Sequence, residues 1–424
     1  MTQPKRSLKK NFGIAFIGNL VYQGCQWGML VLLTKMTTPL EVGVFALAQA
    51  ISIPIMTFAA LNLRAVQVTD VKDLNTFGDF VSLRIVTVVV GFLAILGVIL
   101  FGGYERETSA IIMLVGLNHC VLITREVFQS YMLKHERMDY VALSQITVGV
   151  LSLLSMGVVL YLTRQLALGV GAMLTCRIAI LLLWDNYAVR RIYKAIREPA
   201  SGPLIKFNFS RHILMALAWL ALPAALMSVM TRLVTTVPQY YIEVILGTES
   251  LGYYAPLAAM PFFGLMAVTS AGSSALPRLS RMFADRHHGF FKLSAKLALV
   301  GLVVGLAGLL VAFVGGRGLI TVIFTADYAD YYEVFMWLMV YGAISYCAAC
   351  IGYALHATRW FWIQPVMFTL VLGIVIVGCW IWVPEHGLRG AVMAMIMGRT
   401  LQIPVAIGII AWACAKRPAA VAHE

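Results

Sequence analysis

The stretch NFGIAFIGNLVYQGCQWGMLVLLT, residues 11–34, decides the fold class of this chain. It contains no charged residue, and it is long enough to cross a bilayer as a helix, which takes about 20 mostly apolar residues. Only Lys35 follows it directly, whereas its amino-terminal flank is crowded with basic residues: Lys5, Arg6, Lys9 and Lys10. This asymmetry predicts a membrane-spanning helix whose amino-terminal end is cytoplasmic.

The composition extends this prediction to the whole chain. Of 424 residues, 61% are hydrophobic and only 12% are charged, which is too apolar for a single soluble core. The net charge of +13 is divided among short loops, so it indicates topology-setting charge and attraction to membrane lipids, and no nucleic-acid partner. All seven cysteines fall in apolar segments, where they usually act as small hydrophobes. We expect no metal or cofactor.

Apolar runs between charge clusters bring the predicted helices to twelve: residues 11–34, 42–63, 80–102, 109–133, 140–162, 168–189, 213–246, 252–276, 293–314, 331–355, 361–383 and 390–413. Most loop cations fall on one side of this topology, among them Lys72, Arg197, Arg286, Arg359 and Lys416. The opposite loops hold few: Lys35, Arg106, Arg164, Arg317 and Arg389. The bias predicts that both termini are cytoplasmic and that the chain is a multi-pass inner-membrane protein.

The longest polar interval divides the chain near its middle, where residues 198–203 read EPASGP and break any continuing helix. We therefore predict an N-terminal six-helix bundle over residues 1–195, a cytoplasmic linker over 196–212 and a C-terminal six-helix bundle over 213–424. The two halves echo each other in EVGVFA (41–46) and SLGYYA (250–255). Six spans per half would give both halves one orientation, as in transporters built from parallel repeats.

Enzymatic interpretations lack the residues that they need. The sequence contains no P-loop, no G-x-G-x-x-G on a strand, no H-E-x-x-H and no G-x-S-x-G. The loops of the predicted outer side are also too short for a catalytic domain. We therefore expect a protein that is not an enzyme, and any energy for transport must come from an ion or substrate gradient.

The first span carries a polar stripe. Asn19, Gln23 and Gln26 recur at i, i+4 and i+7, which places them on one face of a helix. They would serve either as amide contacts between packed helices or as the lining of a cavity. Aligning the two internal echoes pairs this stripe with a second one in the other half: Ser228, Arg232 and Thr235.

Three arginines lie near the centres of predicted spans. They are Arg177 in the sixth, Arg232 in the seventh and Arg399 in the twelfth. Each either snorkels to the interface or faces a cavity, and cations in a cavity suit an anion such as a pyrophosphate. With Gln23, Gln26 and Asn19 they form the predicted substrate-binding set.

A second group lies towards the cytoplasmic ends of the spans and consists of Arg64, Asp70, Arg84 and Arg125. It would act as a cytoplasmic gate or as a first contact for a lipid phosphate. The alternative is a set of ion pairs that organises the loops, which contributes little to stability where it is exposed. For Arg125, whose neighbour is Glu126, an adjacent or interhelical ion pair is an equal alternative.

Short motifs along the whole chain resemble the bacterial Wzx-like polysaccharide biosynthesis flippases, which belong to the multidrug/oligosaccharidyl-lipid/polysaccharide exporter superfamily. The resemblance lies in the order of several motifs: LNLRAVQVTD (61–70), FVSLR (80–84), VPQYYIE (237–243), LGYYA (251–255), ALPRL (275–279), IFTADYA (323–329) and HGLRGA (386–391). It implies an all-α membrane protein in which two six-helix bundles, related by a pseudo-two-fold axis, face each other across a V-shaped cavity.

The same resemblance implies a function. The substrate would be an oligosaccharide linked to undecaprenyl pyrophosphate, flipped to the outer leaflet by alternating access, and a polysaccharide polymerase and its co-polymerase are candidate partners. One alternative is a cation-coupled multidrug exporter, although the first span has no carboxylate and central arginines would repel organic cations. A second alternative is a lipid II-type flippase, although flippases of that type resemble a fourteen-span arrangement. A membrane glycosyltransferase would need a carboxylate or metal site that the sequence lacks.

Overall fold

The fold was analysed on a computed structural model, which describes residues 8–70, 74–196, 206–285, 289–358, 360 and 363–415. Within those ranges the chain is almost entirely helical and has no β-strand. Several cations of the predicted cytoplasmic loops lie outside the described residues: Lys5, Arg6, Lys72, Arg197, Arg286, Arg359 and Lys416. So does most of the predicted linker, at residues 197–205. The predicted sidedness therefore stays a prediction.

The helices of the first half begin with one long helix and end in a short amphipathic one. They are α1 (Leu8–Met36), α2 (Pro39–Ala60), α3 (Leu63–Thr69), α4 (Phe77–Phe101), α5 (Arg106–Lys134), α6 (Met138–Thr163), α7 (Leu166–Ile180), a π-helical turn (Leu181–Asp185) and α8 (Asn186–Ile196). Within this half α1 packs on α6, and α5 packs on α2, α4 and α7. α5 is thus the central helix.

The second half has longer helices. They are α9 (Arg211–Leu246), α10 (Thr248–Ala259), α11 (Phe262–Ala284), α12 (Gly289–Ile323), a 3₁₀ turn (Ala326–Tyr331), α13 (Tyr332–Ala357), α14 (Ile363–His386) and α15 (Leu388–Ala415). Here α13 packs on α11, α12 and α15, while α14 packs on α15. Each of the twelve predicted segments therefore coincides with a helix or a broken pair of helices.

Local backbone chemistry explains where predicted segments are broken. The second segment ends at Ala60 because Leu61 (φ 49°) and Asn62 (φ 47°) adopt left-handed conformations, and a new helix starts at Leu63. The ninth predicted segment instead runs on to Ile323 across a kink at Gly316, whose φ of 51° and ψ of −141° suit glycine alone. Helix starts follow side-chain chemistry, since Thr38 and Thr76 each form a capping box with the acid three residues later.

Eleven helices among the described residues are long and apolar enough to cross a membrane. The remaining segment of membrane length is α1, with 29 residues. It is not among the eleven because its amides at positions 19, 23 and 26 lower its hydropathy. Many large apolar side chains are exposed on the protein surface, Phe101 at 93%, as expected where lipid is the solvent. The prediction of an all-α, multi-pass membrane protein is confirmed.

The chain forms two compact units, Met1–Val229 and Met230–Glu424, and the division lies within α9. The amino-terminal part of α9 belongs to the first unit, where Leu217, Ala221 and Ala225 join the apolar core of α4, α5 and α8. The assignment of residues 1–195 and 213–424 to two functional bundles stays a prediction.

Candidate anion-binding site

Arg177 lies inside the first unit and is only 4% exposed. Its guanidinium donates three hydrogen bonds to three different helices. Nε donates to Ser152 Oγ of α6 at 3.3 Å, Nη1 to Asn118 Oδ1 of α5 at 3.3 Å, and Nη2 to Gln26 Oε1 of α1 at 3.4 Å. The arginine of α7 is thus held where four helices meet.

Two of these partners are themselves held in place. Gln26 Nε2 donates to Tyr22 Oη at 2.7 Å, one turn earlier on α1. Asn118 Nδ2 donates to the carbonyl of Leu114 at 2.9 Å and to that of Val170 at 3.4 Å. Because their amide groups donate elsewhere, both residues turn their amide oxygens towards the guanidinium. We call Tyr22, Gln26, Asn118, Ser152 and Arg177 the Arg177 network.

The Arg177 network contains one formal charge. All three partners of the guanidinium are neutral, and no carboxylate pairs with it among the described residues. The three distances, 3.3 to 3.4 Å, are longer than the usual 2.7 to 2.9 Å of charge-assisted bonds. A buried cation is costly unless it is paired. The arrangement is therefore suited to an anion that replaces weak neutral acceptors.

About two turns further along, the π-helical turn that continues α7 ends in a fully paired charge. Asp185, at the end of the π-helical turn, accepts from Arg125 Nε at 2.7 Å and from Ser144 Oγ at 2.6 Å. Arg125 Nη2 also donates to Ser144 Oγ at 2.7 Å, which closes the triangle. Arg125 thus makes an interhelical ion pair, with Asp185 and not with its neighbour Glu126. Its predicted role at a gate stays a prediction.

The polar stripe of α1 divides between two environments. Gln26 belongs to the Arg177 network, whereas Gln23 is half-buried and Asn19 is exposed. Neither Gln23 nor Asn19 makes a side-chain hydrogen bond to any residue that the structure describes. The structure therefore brings together two members of the predicted substrate-binding set, Arg177 and Gln26.

In the second unit the two predicted arginines have few partners. Arg399 donates from Nη1 to Gln402 Oε1 at 2.7 Å, one turn later on α15, and its buried Nε has no partner. Arg232 is exposed, 14 residues before the end of α9, which is about 21 Å along the helix. Neither pairs with a carboxylate within the described part of the chain. Both remain candidate anion ligands.

The predicted cytoplasmic group does not form one ion-pair set. Arg84, 1% exposed, donates to Glu126 Oε2 and to the carbonyl of Ala59, both at 3.4 Å. Asp70 instead accepts from the backbone at residues 74 and 75 and lies 3.9 Å from Lys134 Nζ. Arg64 is half-buried and has no polar partner in the described ranges. A gate role for these residues is left as a prediction.

Sequence reasoning missed Asn118, Ser152 and Tyr22. All three are polar residues within otherwise apolar spans, and that would have been the available signal. His119, next to Asn118, lies with Nε2 2.9 Å from Gln49 Oε1 of α2 and so takes part in the packing of α5 on α2. No group of three His, Cys, Asp or Glu side chains within the described ranges could hold a metal ion.

Comparisons with known proteins agree with this architecture. Residues 8–283 match the sequence model of a family described as polysaccharide biosynthesis protein. The capsular polysaccharide biosynthesis protein CapF of Staphylococcus aureus is 23% identical over 390 residues, which cover 91% of this chain and 95% of the relative.

Two solved structures show the same fold. The lipid II flippase MurJ in an inward closed conformation gives a TM-score of 0.70 at 12% identity, covering 95% of this chain and 90% of MurJ. An inward-facing multidrug resistance MATE family transporter of the MOP superfamily gives 0.66 at 12% identity, covering 98% and 96%. At such identities the likeness establishes the fold alone.

Proposed function

The chain belongs to the family of polysaccharide biosynthesis proteins, and from that premise we propose that it flips a lipid-linked oligosaccharide across the bacterial inner membrane. The substrate is an oligosaccharide on undecaprenyl pyrophosphate, moved from the cytoplasmic to the outer leaflet by alternating access. A surface polysaccharide polymerase and its co-polymerase are the partners that would use the product.

The observation that supports this proposal most is that the buried Arg177 guanidinium has only neutral hydrogen-bond partners among the described residues. A guanidinium in the middle of a membrane protein, bound to amide and hydroxyl oxygens but to no carboxylate of the described chain, is costly. Natural proteins pair such charges or use them for transport. The lipid-linked diphosphate is an anion that travels through the membrane and would supply the missing charge.

The energetic step is an exchange of partners. Asn118, Ser152 and Gln26 hold the guanidinium through long bonds, and a phosphate oxygen can replace one or two of them. A phosphate oxygen carries negative charge, so its hydrogen bond to the guanidinium adds a Coulombic attraction that a neutral amide or hydroxyl oxygen does not supply. This added attraction favours substrate binding. The amide and hydroxyl oxygens can bind the guanidinium again afterwards, so the substrate can also leave.

The second unit supplies candidate contacts of the same kind. Arg399 is bound to the Gln402 amide oxygen and resembles Arg177 in lacking a carboxylate among the described residues. Arg232 is exposed at a depth where a cation is unfavourable in lipid. Cationic side chains that lack a carboxylate partner in the described chain disfavour an exporter of organic cations, because like charges repel in a low-dielectric medium.

Reconstituted flipping tests the proposal. Proteoliposomes would carry a fluorescent undecaprenyl-pyrophosphate oligosaccharide, and the fraction reachable by a membrane-impermeant quencher would be followed over time. We expect wild-type protein to flip it, Arg177→Gln to be at least about 10-fold slower, and Arg164→Gln, a matched change of an exposed arginine, to be unchanged. Equal rates for all three proteins, or no flipping by wild type, would contradict the proposal.

A further inference from the structure

α8 has two chemically different faces. Ala188, Val189 and Ile192 are buried in the apolar core of the first unit, where they join Phe80 of α4 and Leu217 of α9. The opposite face is exposed and carries Arg190, Arg191 and Lys194 together with Tyr187. Helical periodicity produces this division, since positions 187, 190, 191 and 194 fall on one side.

The cations of α8 have no anionic partner in the described chain. Arg190 Nε donates to Asn186 Oδ1 at 3.0 Å, and Arg191 Nη1 donates to Tyr187 Oη at 3.4 Å. Both bonds are local to the helix and neutral, and none of the three cations forms an ion pair with a described residue. Their charge is therefore available to an external group.

A second element lies at the same end of the first unit. Residues 206–210, which we call the strap, are fixed to the start of α4 by Asn208. Its backbone N–H donates to Ser82 Oγ and its Nδ2 to Asp79 Oδ1, both at 2.9 Å. The strap passes so close that a Cβ at Gly78 would lie 2.1 Å from the carbonyl oxygen of Lys206. Only glycine permits this contact.

This attachment leaves two aromatic side chains on the outside. Phe207 is 56% exposed and Phe209 is 57% exposed. Their rings stack on each other, with centroids 6.3 Å apart and an angle of 15° between the planes. Lys206 and Arg211, on either side of them, are exposed as well. An anchored segment that displays stacked phenylalanines between cations has the composition of a membrane-interface contact.

α8 and the strap lie on different faces of the start of α4, and therefore at the same end of the first unit. Phe77 and Phe80 of α4 share the apolar core with α8, and the strap binds positions 78, 79 and 82. Together, residues 186–196 and 206–211 contain five Lys or Arg and no acid. α8 also continues directly from membrane-spanning α7, which keeps its cations within reach of the bilayer.

We propose that the exposed cations of α8 and of the strap bind the anionic phospholipid headgroups of the membrane, with Phe207 and Phe209 inserted at the interface. The cations supply charge complementarity, and the rings supply apolar area beside it. This contact is separate from the Arg177 network and does not depend on the transported substrate.

The first test measures lipid selectivity. Protein would be reconstituted in phosphatidylcholine with trace spin-labelled phosphatidylglycerol or spin-labelled phosphatidylcholine, and the motionally restricted fraction of each lipid measured. We expect wild type to prefer phosphatidylglycerol over phosphatidylcholine. In R190Q/R191Q/K194Q this preference should be roughly threefold weaker. The control R106Q/R164Q/R317Q removes the same charge from three exposed arginines elsewhere and should keep it.

Two conditions distinguish binding of anionic headgroups from other causes of the lipid selectivity. The preference should fall in about 0.5 M salt, where screening is strong, yet survive added inorganic phosphate. Equal selectivity in wild type and R190Q/R191Q/K194Q would overturn the proposal. So would a variant that keeps its lipid selectivity but loses polysaccharide production in cells, which would assign these cations to an acidic protein partner.

The second test measures depth. In a background without the seven native cysteines, spin labels at Phe207→Cys and Ser210→Cys would be compared for collision with oxygen and with a water-soluble nickel complex. We expect position 207 to favour oxygen, as a site within the interface does, and exposed Ser210 to favour nickel. Thermal unfolding of the cysteine-free protein, compared with wild type, checks that the background folds. Equal nickel accessibility at 207 and 210 would contradict insertion of the strap.

Discussion

Arg177 and Asp185 lie on the same side of one helical rod, although a regular α-helix would turn them apart. Both reach α5 and α6, Arg177 through Asn118 and Ser152, and Asp185 through Arg125 and Ser144. At about 100° per residue, eight residues leave a regular helix about 80° from its starting face.

The π-helical turn at Leu181–Asp185 reduces the angle between the directions in which residues 177 and 185 point. The N–H of Asn186 bonds to the carbonyl of Leu181, five residues earlier, so the turn contains about one additional residue. Eight residues then rotate like seven, which leaves Asp185 about 20° from Arg177. The turn therefore presents a paired charge and an unpaired one to the same two helices.

Asp185 is expected to stabilise the protein by compensating Arg125. Asp185→Asn should lower the stability by about 3 to 5 kcal/mol, because it leaves a buried guanidinium without its charge partner. Replacing both residues, as Asp185→Asn with Arg125→Met, should recover most of the loss. Thermal unfolding in detergent would measure this. A double variant no more stable than the single one would show that the two side chains are not energetically coupled.

A charge placed next to Arg177 separates structural from transport roles. Gln26→Glu would bring a carboxylate to the position where an amide oxygen now lies 3.4 Å from Nη2. The Gln26→Glu protein should be at least as stable as wild type. It should flip substrate about 10-fold more slowly or worse, because the guanidinium no longer needs an external anion. Gln26→Met serves as the control of similar size. Wild-type flipping by a well-folded Gln26→Glu protein would remove Arg177 from the substrate site.

Arg232 should depend on charge more than on shape. We expect Arg232→Lys to keep partial transport, Arg232→Ala to lose one to two orders of magnitude, and Arg232→Glu to be worse. Arg399 should follow the same order more weakly. Complementation of polysaccharide production in a flippase-null strain measures this, with membrane abundance checked for each variant. Full complementation by Arg232→Glu, at the abundance of a control Arg317→Glu protein, would show that the residue does not bind substrate.

The predicted topology places Thr248 outside and Ser210 inside. In a cysteine-free background, an impermeant thiol reagent should label Thr248→Cys in intact cells and should label Ser210→Cys only after permeabilisation. The positive-inside bias of the loops is the physical reason. Labelling of Ser210→Cys in intact cells would reverse the sidedness.

Much of the fold could be predicted from the sequence because its determinants are local. The length of an apolar run sets a span, and a threonine followed three residues later by an acid marks a helix start, as at Thr38 and Thr76. All twelve predicted segments coincide with helices, and the family resemblance is confirmed by the match over residues 8–283. The π-helical turn was not predicted, since no single residue marks a one-residue change of register.

The candidate site depended on tertiary structure because helical periodicity gives a face but not the partner of that face. The sequence placed Asn19, Gln23 and Gln26 on one stripe. Only the packing of α1 on α6, which also packs on α7, decided that Gln26 meets an arginine 151 residues away. In the same way Arg125 bonds to Asp185, 60 residues on, and not to adjacent Glu126. Contacts of this kind are fixed by how several helices pack at once, and that determines which buried arginine has a carboxylate partner and which has only neutral partners among the described residues.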